Sequence, residues 1–382
     1  MLNILHVIPR LAGGGAEKLV LETCIEMQKR KDIKVLLLIF DRTIDLYPYL
    51  SKQVEIVVCD ISFKLFPFKI SKPDNKNFKK IIKEFKPNII HTHLFEAEIK
   101  VRAELISGVT YVSHLHDNMK QLDNFKISSF FSKDLIVNFF QKRYLLGKYR
   151  KYGNKFICIS EDTYKYVNLA VRGENISYTF IPNAIDVNKF LNPRKKENPN
   201  KTIIRLINIG SFQNKKNQIF LLDIVKSLIS RNYKVYLEII GDGENEEVIR
   251  EKIIENNLED SIKLLGRISD VEEKLFNSDI YLHTAYYEPF GLVFIEAMAA
   301  GLPVVTLDGK GNRDLIEEGK NGYMIYDQDP EKFAQKIIFL VENKSKYAEI
   351  SNYCKEYAKK YDIKEYVNKL LVLYKDSMSS TN

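Results

Sequence analysis

The sequence has 382 residues, of which 45% are hydrophobic and 28% are charged, a balance that is typical of a globular protein and argues against a disordered chain. Its 58 basic and 50 acidic residues give a formal net charge of +8, which suits anionic small molecules, a membrane surface or nucleic acid as partners. No apolar run reaches the roughly 18 residues that span a bilayer, and four scattered cysteines without a CxxC pair predict reduced thiols in a cytoplasmic protein.

The first half of the chain alternates short β-branched runs with longer mixed segments, which predicts parallel strands joined by helices. We interpret Leu2–Ile8 as a buried first strand and not as a signal peptide, because the segment is short and lacks a basic start. The next predicted strands are Lys34–Phe40, Val54–Cys59, Ile89–His93, Thr110–His114 and Lys155–Ile159.

A glycine-rich segment, Gly13-Gly14-Gly15, follows the first predicted strand and opens a helix. Backbone amides without an obstructing Cβ can approach an anion closely, so Gly14 and Gly15 are candidate phosphate-binding residues. The segment is not the dinucleotide pattern GxGxxG, because Lys18 stands where the third glycine belongs. The later Gly241-Asp-Gly243 segment fails at the same position, and both failures argue against an NAD-dependent dehydrogenase.

Histidines follow or end two of the predicted strands. His116 comes just after one of them, and the carboxyl ends of parallel strands are where open α/β sheets bind ligands. We therefore expect a functional role for His116. For four other histidines we expect structural, cleft-lining or core positions; these are His6, His91, His93 and His283.

Two stretches, 63–80 and 125–155, mix Lys and Arg with Phe, Tyr, Leu and Ile. Interfacial helices use this mixture against anionic lipid headgroups, which predicts a protein that is peripheral on the inner face of the cell membrane. An ordinary amphipathic helix with a solvated Lys face explains the pattern equally well. Both interpretations stay open at this stage.

The strand and helix rhythm restarts at Thr202, after a polar, Pro-containing connection at 192–201. The predicted strands of this half are Thr202–Gly210, Val235–Ile240, Ile262–Leu264, Asp279–Leu282 and Leu302–Thr306, with helices at Asn217–Ser230 and Glu246–Asn256. We predict an N-terminal Rossmann-like domain at 1–183 and a C-terminal one at 184–360. The remaining 361–382 should form a C-terminal helix that packs back on the first domain.

The most informative segment, LHTAYYEPFGLVFIEAMAAG, runs from Leu282 to Gly301. It predicts a strand end, a loop and a helix at Leu292–Ala300. Free N–H groups at the helix N-terminus form a diphosphate site, and they belong to Phe290, Gly291, Leu292 and Val293. Glu288 and Glu296 would repel an anion that they faced, so we expect them to accept hydrogen bonds from sugar hydroxyls and from a ribose diol, respectively.

Glu288 and Glu296, with PFGLV between them and EAMAAGLPVV following, resemble the E-x7-E signature of retaining glycosyltransferases of the GT-B fold, the large family 4. Similarity extends over nearly the full chain. It implies two Rossmann-like, doubly wound α/β domains facing each other across a cleft, with the nucleotide-sugar donor held mainly by the second. It also implies transfer to a glycan or polyprenyl-linked acceptor with retained anomeric configuration, in capsule, O-antigen or exopolysaccharide biosynthesis.

The resemblance also assigns roles to single residues. The Gly14–Gly15 loop would cover the donor diphosphate, and the segment from Gly210 resembles the phosphate-binding loop G-R-L-x-x-x-K. Lys216 falls on the lysine that neutralises the leaving diphosphate, while Ser211 replaces the arginine and weakens a two-cation clamp. The further donor-binding candidates are Gly241, Arg267 and Ile268, the last two beside the nucleobase. Base recognition through backbone groups leaves UDP-sugar and GDP-sugar both open.

The predicted catalytic residues are His116, Lys216 and Glu288, and by resemblance the sugar is transferred on the front face. No DxD-type pair follows a predicted strand, so we expect no catalytic metal and no cofactor besides the donor. The alternative enzymes are a sugar-nucleotide epimerase or a phosphorylase relative of the same fold. A nucleic-acid-binding protein is disfavoured, because the sequence lacks helix-turn-helix, zinc and RNP signatures.

Overall fold

The computed structural model describes residues 1–43, 46–62, 65–66, 69–70, 74–123, 132–171, 176–191, 203–268 and 271–379. The chain divides into two compact units, one formed by Met1–Asn183 with Ile363–Asn382 and the other by Ala184–Asp362. The predicted connection at 192–201 lies outside the described residues, as do parts of the two basic and aromatic stretches.

The first unit is built on strands and helices that alternate along the chain. Its strands are β1 (Leu2–Ile8), β2 (Ile33–Ile39), β3 (Ile56–Val58), β4 (Leu65–Phe66), β5 (Lys69–Ile70), β6 (Ile89–His93), β7 (Thr110–Leu115), β8 (Asn154–Cys158) and β9 (Ile176–Phe180). Its helices are α1 (Gly15–Gln28), α2 (Pro48–Ser51), α3 (Lys76–Phe85), α4 (Leu94–Val101), α5 (Lys133–Tyr152) and α6 (Glu161–Ala170), with a 3-10 turn at Lys120–Leu122.

The second unit repeats the same plan. Its strands are β10 (Ile204–Ile209), β11 (Val235–Ile240), β12 (Ile262–Leu264), β13 (Ile280–His283), β14 (Val304–Leu307) and β15 (Gly322–Ile325). Its helices are α7 (Val187–Phe190), α8 (Phe220–Ser230), α9 (Glu246–Glu255), α10 (Val271–Phe276), α11 (Leu292–Ala299), α12 (Pro330–Glu342) and α13 (Lys344–Ala358), with 3-10 turns at Asn214–Lys216, Gly311–Asp314 and Lys359–Tyr361. The last helix, α14 (Ile363–Ser379), belongs to the first unit, where it packs on α1.

Each unit has one large sheet of parallel strands, in the order β3-β2-β1-β6-β7-β8-β9 and β12-β11-β10-β13-β14-β15, and β4 and β5 form a separate hairpin. Their central strands are buried on both faces, which explains the nearly continuous apolar runs in the sequence. The two Rossmann-like, doubly wound sheets confirm the predicted fold class.

The strand order reverses between β1 and β6 in the first sheet, and between β10 and β13 in the second. Ligands of open α/β sheets bind beyond the carboxyl ends of the strands at such a switch point. The loops that follow these four strands are therefore where we expect a ligand of each unit.

Two edge strands, β9 and β15, were not predicted. All five residues of β9 are half-buried or exposed, so this strand lacks the apolar run that marks a central one. Strand β15 begins with Gly322, where an added Cβ would lie 2.3 Å from the carbonyl oxygen of Val304 on β14. Glycine permits this close approach, but it has a low strand propensity, so prediction from propensity misses the strand.

Candidate functional site

The two loops at the switch point of the second unit are bonded to each other. The turn Asn214–Lys216 follows β10, and the loop from Thr284 follows β13. The backbone N–H of Tyr286 donates to the carbonyl of Lys215 at 2.9 Å, and the Thr284 hydroxyl donates to the carbonyl of Lys216 at 3.2 Å. These bonds hold the Lys216 backbone at the carboxyl end of the sheet, beside the E-x7-E segment.

Lys216 and Glu288, which are 72 positions apart in the sequence, form an ion pair at this point. The Nζ of Lys216 lies 2.5 Å from Oε2 of Glu288, and Nε2 of His283 lies 3.1 Å from the same oxygen. Only 16% of the lysine side chain and 8% of the glutamate side chain are exposed. Two of the three predicted catalytic residues are thus in direct contact.

The environment keeps Glu288 ionised. Burial alone would raise the pKa of its carboxyl, but the charge of Lys216 and the contact with His283 outweigh burial and hold the pKa well below its usual range. Burial also lowers the pKa of His283, against the opposing effect of Glu288. The pair is therefore a lysine cation and a carboxylate beside a neutral imidazole.

A third loop, which follows β14, supports Glu288 from the other side. The backbone N–H of Glu288 donates to the carbonyl of Gly309 at 2.8 Å. An added Cβ on Gly311 would lie 2.1 Å from the carbonyl oxygen of Pro289, so only glycine fits there. Asn312 is buried, and its amide bonds Gly309 N, Thr306 and Leu307, so it shapes this loop.

Helix α11 begins without a capping side chain at the predicted anion site. Its N-cap is Gly291, at φ 91°, and the first turn holds no acidic residue. The next two residues, Leu292 and Val293, are half-buried, whereas Phe290 is buried and packs against Tyr361 with 5.9 Å between ring centroids. The backbone N–H groups of this helix start therefore have no side-chain cap, which is the arrangement that an anion site requires.

Glu296 lies one to two turns into α11 and is buried. The pKa of the neighbouring Tyr281 is raised well above its usual value, first by burial and then by the negative charges of Glu288 and Glu296. Both carboxylates of the E-x7-E segment therefore act on one buried phenol.

The loops after β10, β11 and β12 are joined through backbone contacts of glycine. Gly241, at φ 146°, donates its N–H to the carbonyl of Gly266 at 2.9 Å, and an added Cβ there would lie 2.0 Å from the Gly210 oxygen. The carbonyl of Ser211 accepts from Nε2 of Gln218 at 2.9 Å. Gly210, Ser211 and Gly241 therefore form one continuous backbone surface.

Arg267 and Ile268 follow β12, and Ser269 lies outside the described residues. The Arg267 guanidinium binds Asp242 through both carboxylate oxygens, Nη2 to Oδ1 at 2.7 Å and Nε to Oδ2 at 3.2 Å. Because this side chain is engaged within the protein, a base contact at this loop would fall to backbone groups, as the resemblance implies.

The switch point of the first unit carries the glycine-rich loop. Gly14 is the N-cap of α1, which starts at Gly15, and no side chain caps the helix. An added Cβ on Gly14 would lie 2.5 Å from the Glu17 carboxylate, and the Tyr47 hydroxyl donates to the Gly14 carbonyl at 3.0 Å. The loop thus offers a second uncapped helix start.

Five of the six histidines lie together in the first unit, and the sequence interpretation missed this cluster. They come from three adjacent strands or strand ends, and they are His6 (β1), His91 and His93 (β6), and His114 and His116 (β7 and the residue after it). Residues two apart on a strand share one face, so the patterns HTH and HLH on neighbouring strands were the available signal. Burial is the largest cause that lowers the pKa of all five rings, for His6 and His116 to about 3, and keeps them neutral.

Two trios within this cluster, His6 with His91 and His93, and His93 with His114 and His116, each bring three ring nitrogens within 4.8 Å. A metal ion bound to imidazole lies in the plane of the ring. The rings of His114 and His116 are stacked at 4.1 Å with planes only 10° apart, so their lone pairs do not converge on one point. In the first trio, His91 and His93 are stacked in the same way at 4.3 Å, and among the described residues of the cluster hydrogen bonds between rings join only His6, His93 and His116.

Helix α5 carries the described part of the second basic and aromatic stretch. It begins at Ser132, which caps the backbone N–H of Leu135, and it includes six basic residues and one acidic residue. Among the described residues, no helix is long and apolar enough to cross a membrane. Binding to an anionic membrane surface stays a prediction.

Comparison with known families gives two matches that follow one another along the chain. Residues 13–189 match the model for "Glycosyltransferase Family 4", and residues 190–361 match the model for "Glycosyl transferases group 1". A poly(glycerol-phosphate) alpha-glucosyltransferase of Bacillus subtilis is 30% identical over 198 residues, which is 52% of this chain and 29% of that protein. An Escherichia coli UDP-Gal:alpha-D-GlcNAc-diphosphoundecaprenol alpha-1,3-galactosyltransferase is 24% identical over 309 residues, 78% and 77% of the two chains.

Several relatives are only partly matched, with 29%, 63% and 32% of their lengths covered in three of them. Among solved structures, Anabaena Alr3699/HepE in complex with UDP has a TM-score of 0.77 at 20% identity, covering 98% of this chain and 100% of that one. TarM has a TM-score of 0.76 at 17% identity, covering 98% and 99%. These likenesses establish that the fold is shared.

Proposed function

The chain belongs to the family 4 glycosyltransferases of the GT-B fold, and from that membership we propose that it transfers a sugar from a nucleotide-sugar donor to a glycan or polyprenyl-linked acceptor. The contact that carries the proposal is the buried pair of Lys216 and Glu288 beside the uncapped start of α11. A lysine and a helix N-terminus bind a diphosphate, and the carboxylate binds a hydroxyl of the attached sugar. Two relatives are named for poly(glycerol-phosphate) and poly(ribitol-phosphate), and a third for the lipid-linked sugar alpha-D-GlcNAc-diphosphoundecaprenol, which favours surface-polysaccharide assembly.

In this mechanism the donor diphosphate lies over the N-terminus of α11, with Leu292 and Val293 amides toward it. Lys216 then turns from Glu288 toward the leaving oxygen, where negative charge grows in the transition state. Glu288 is released to accept a hydrogen bond from the sugar, and Glu296 accepts from the ribose. In the first unit, His116 is the group that we propose contacts a sugar hydroxyl, and the Gly14–Gly15 loop is a further anion contact.

The first prediction concerns Glu296. The wild type is screened by thermal shift against UDP, GDP, ADP and dTDP and their sugars. Nucleotides with one of these bases should raise its melting temperature, because a ligand that binds the folded state stabilises it by mass action. Glu296→Gln should lower the affinity for that nucleotide by about 10- to 100-fold, since a buried charged hydrogen bond contributes about 1.5–3 kcal/mol. The exposed Glu251→Gln is the matched control. Unchanged affinity in Glu296→Gln would remove the ribose contact from the proposal.

The second prediction concerns stereochemistry and metal. We propose front-face transfer, in which the departing diphosphate oxygen takes the acceptor proton, with Lys216 and α11 neutralising charge in place of a metal ion. The reaction, run in EDTA with the donor identified above, should proceed at the rate seen without the chelator. NMR of the first-formed product should show the donor's anomeric configuration. An inverted product, or recovery of activity only with Mg²⁺ or Mn²⁺, would contradict it.

The same reaction separates a transferase from an epimerase. An incubation without acceptor should return the donor unchanged or hydrolysed, and a chromatogram of the nucleotide sugars measures this. A new nucleotide sugar with a different sugar configuration would instead identify an epimerase of the same fold.

A further inference from the structure

Three of the five clustered histidines form a continuous hydrogen-bonded chain that ends at the proposed sugar contact. Nδ1 of His6 lies 2.9 Å from Nε2 of His93, and Nδ1 of His93 lies 2.9 Å from Nε2 of His116. The two outer nitrogens of the chain, Nε2 of His6 and Nδ1 of His116, are buried and have no hydrogen-bond partner among the described residues.

A neutral imidazole carries one N–H and one lone pair, so each contact in this chain needs a proton on one of its two nitrogens. Only two arrangements satisfy both contacts, with all three protons on Nε2 or all three on Nδ1. In the first, Nδ1 of His116 is an acceptor; in the second, it is a donor. A mixed arrangement places two lone pairs or two protons face to face and loses a buried hydrogen bond.

The other two histidines lie outside this chain. Nδ1 of His91 lies 2.6 Å from the Tyr374 hydroxyl, and Nδ1 of His114 lies 3.4 Å from the Tyr366 hydroxyl, both on α14. Nε2 of each is buried without a partner among the described residues. His91 is as deeply buried as His6 and stacks on His93 at 4.3 Å, yet it shares no proton with His93. The molecule thus supplies an internal control.

We propose that His6 and His93 are positioning residues whose tautomers are coupled to that of His116, so that the three rings together present either a lone pair or an N–H at Nδ1 of His116. The three rings act as one two-state element, because a change at either end requires the other two rings to change with it. The catalytic consequence rests on the proposed transferase function, whereas the coupling of tautomers does not.

NMR of histidine ring nitrogens in the full-length protein tests the coupling directly, because the protonated and unprotonated nitrogens of a neutral ring resonate apart. In the wild type, His6, His93 and His116 should share one tautomer. His6→Leu removes one end of the chain and should change the tautomer fractions of His93 and His116 together, whereas His6→Asn, whose amide can donate or accept in place of Nδ1, should keep both fractions close to those of the wild type. His91→Leu should leave His116 unchanged, with circular dichroism checking the fold of each variant.

The kinetic readout is a fall in kcat for His6→Leu, at unchanged KM, in proportion to the fall in the productive tautomer fraction of His116, with recovery in His6→Asn. Several results would overturn the proposal: different tautomers among the three rings of the wild type, an equal effect of His91→Leu, or a metal-bound spectrum of these rings after one equivalent of Zn²⁺. If the protein proves to have no transferase activity, the NMR arm still decides the coupling.

Discussion

Substitution Lys216→Met is expected to lower kcat by about 10²- to 10³-fold, because it removes the cation that stabilises growing charge on the leaving diphosphate. Methionine keeps the length and the apolar stem of the side chain and loses only the ammonium group. The structure favours a large effect, since Lys216 is already desolvated at 16% exposure and directed at the E-x7-E segment through Glu288. Steady-state kinetics with the identified donor measure the change.

Lys215→Met is the matched control for this variant. Lys215 neighbours Lys216 on the same 3-10 turn and is half-buried, but the ammonium group seen against Glu288 belongs to Lys216. We expect Lys215→Met to stay within about fivefold of the wild type in kcat. A larger loss in Lys215→Met than in Lys216→Met would transfer the phosphate role to Lys215 and contradict the assignment.

The same ion pair links stability to pH, and the direction follows from the lowered pKa of Glu288. A carboxyl whose pKa is lower in the folded than in the unfolded state stabilises the fold fully above its unfolded value, about 4.3, and loses that contribution as pH falls below it. Lys216→Met leaves the buried carboxylate with His283 alone, so the variant should unfold at a lower temperature at neutral pH. Glu288→Gln added to it should recover part of the loss.

Much of the fold could be predicted because the strands and helices correspond to patterns of contiguous residues in the sequence. Strands β1 and β6 have the predicted bounds, and β10 to β14 lie within about two residues of theirs. All of these except the edge strand β12 are central in their sheets, where buried parallel strands have nearly continuous apolar runs. Strand β9 lacks such a run and was missed, and β15 was missed because it begins with Gly322. The E-x7-E segment was found for the same local reason, since its loop, its glycine and its helix are contiguous.

The sequence could not show which residues that are distant along the chain are in contact. The sequence around each residue does not show that Lys216 Nζ forms an ion pair with Oε2 of Glu288 at 2.5 Å. Nor does it show that Arg267 is bound by Asp242. The histidine cluster is an intermediate case, because strand periodicity puts His91 and His93 on one face. Recognising the chain from His6 to His116 required the order of three neighbouring strands, which only the folded sheet supplies.

Gly291→Ala is expected to weaken nucleotide binding by at least about tenfold, although no side chain that touches the ligand is changed. Gly291 has φ 91°, where an L-residue is strained, and its added Cβ would lie 2.3 Å from Cδ2 of Phe294 and 3.1 Å from Cγ of Glu288. Phe294 is fully buried, so its ring has no room to retreat. The loop and the first turn of α11 must therefore move, and with them the amides of the diphosphate site.

Gly319→Ala separates this clash from backbone strain. Gly319 has φ 72°, close to that of Gly291, but an added Cβ there meets no atom within 4 Å. Both variants should lose about 1 kcal/mol or more of unfolding free energy for the left-handed backbone, and calorimetric titration with the nucleotide should show full affinity in Gly319→Ala alone. Equal affinities in the two variants would mean that the start of α11 tolerates displacement. A helix N-terminus that binds diphosphate through fixed amides cannot do so, and the anion would then have to be held elsewhere.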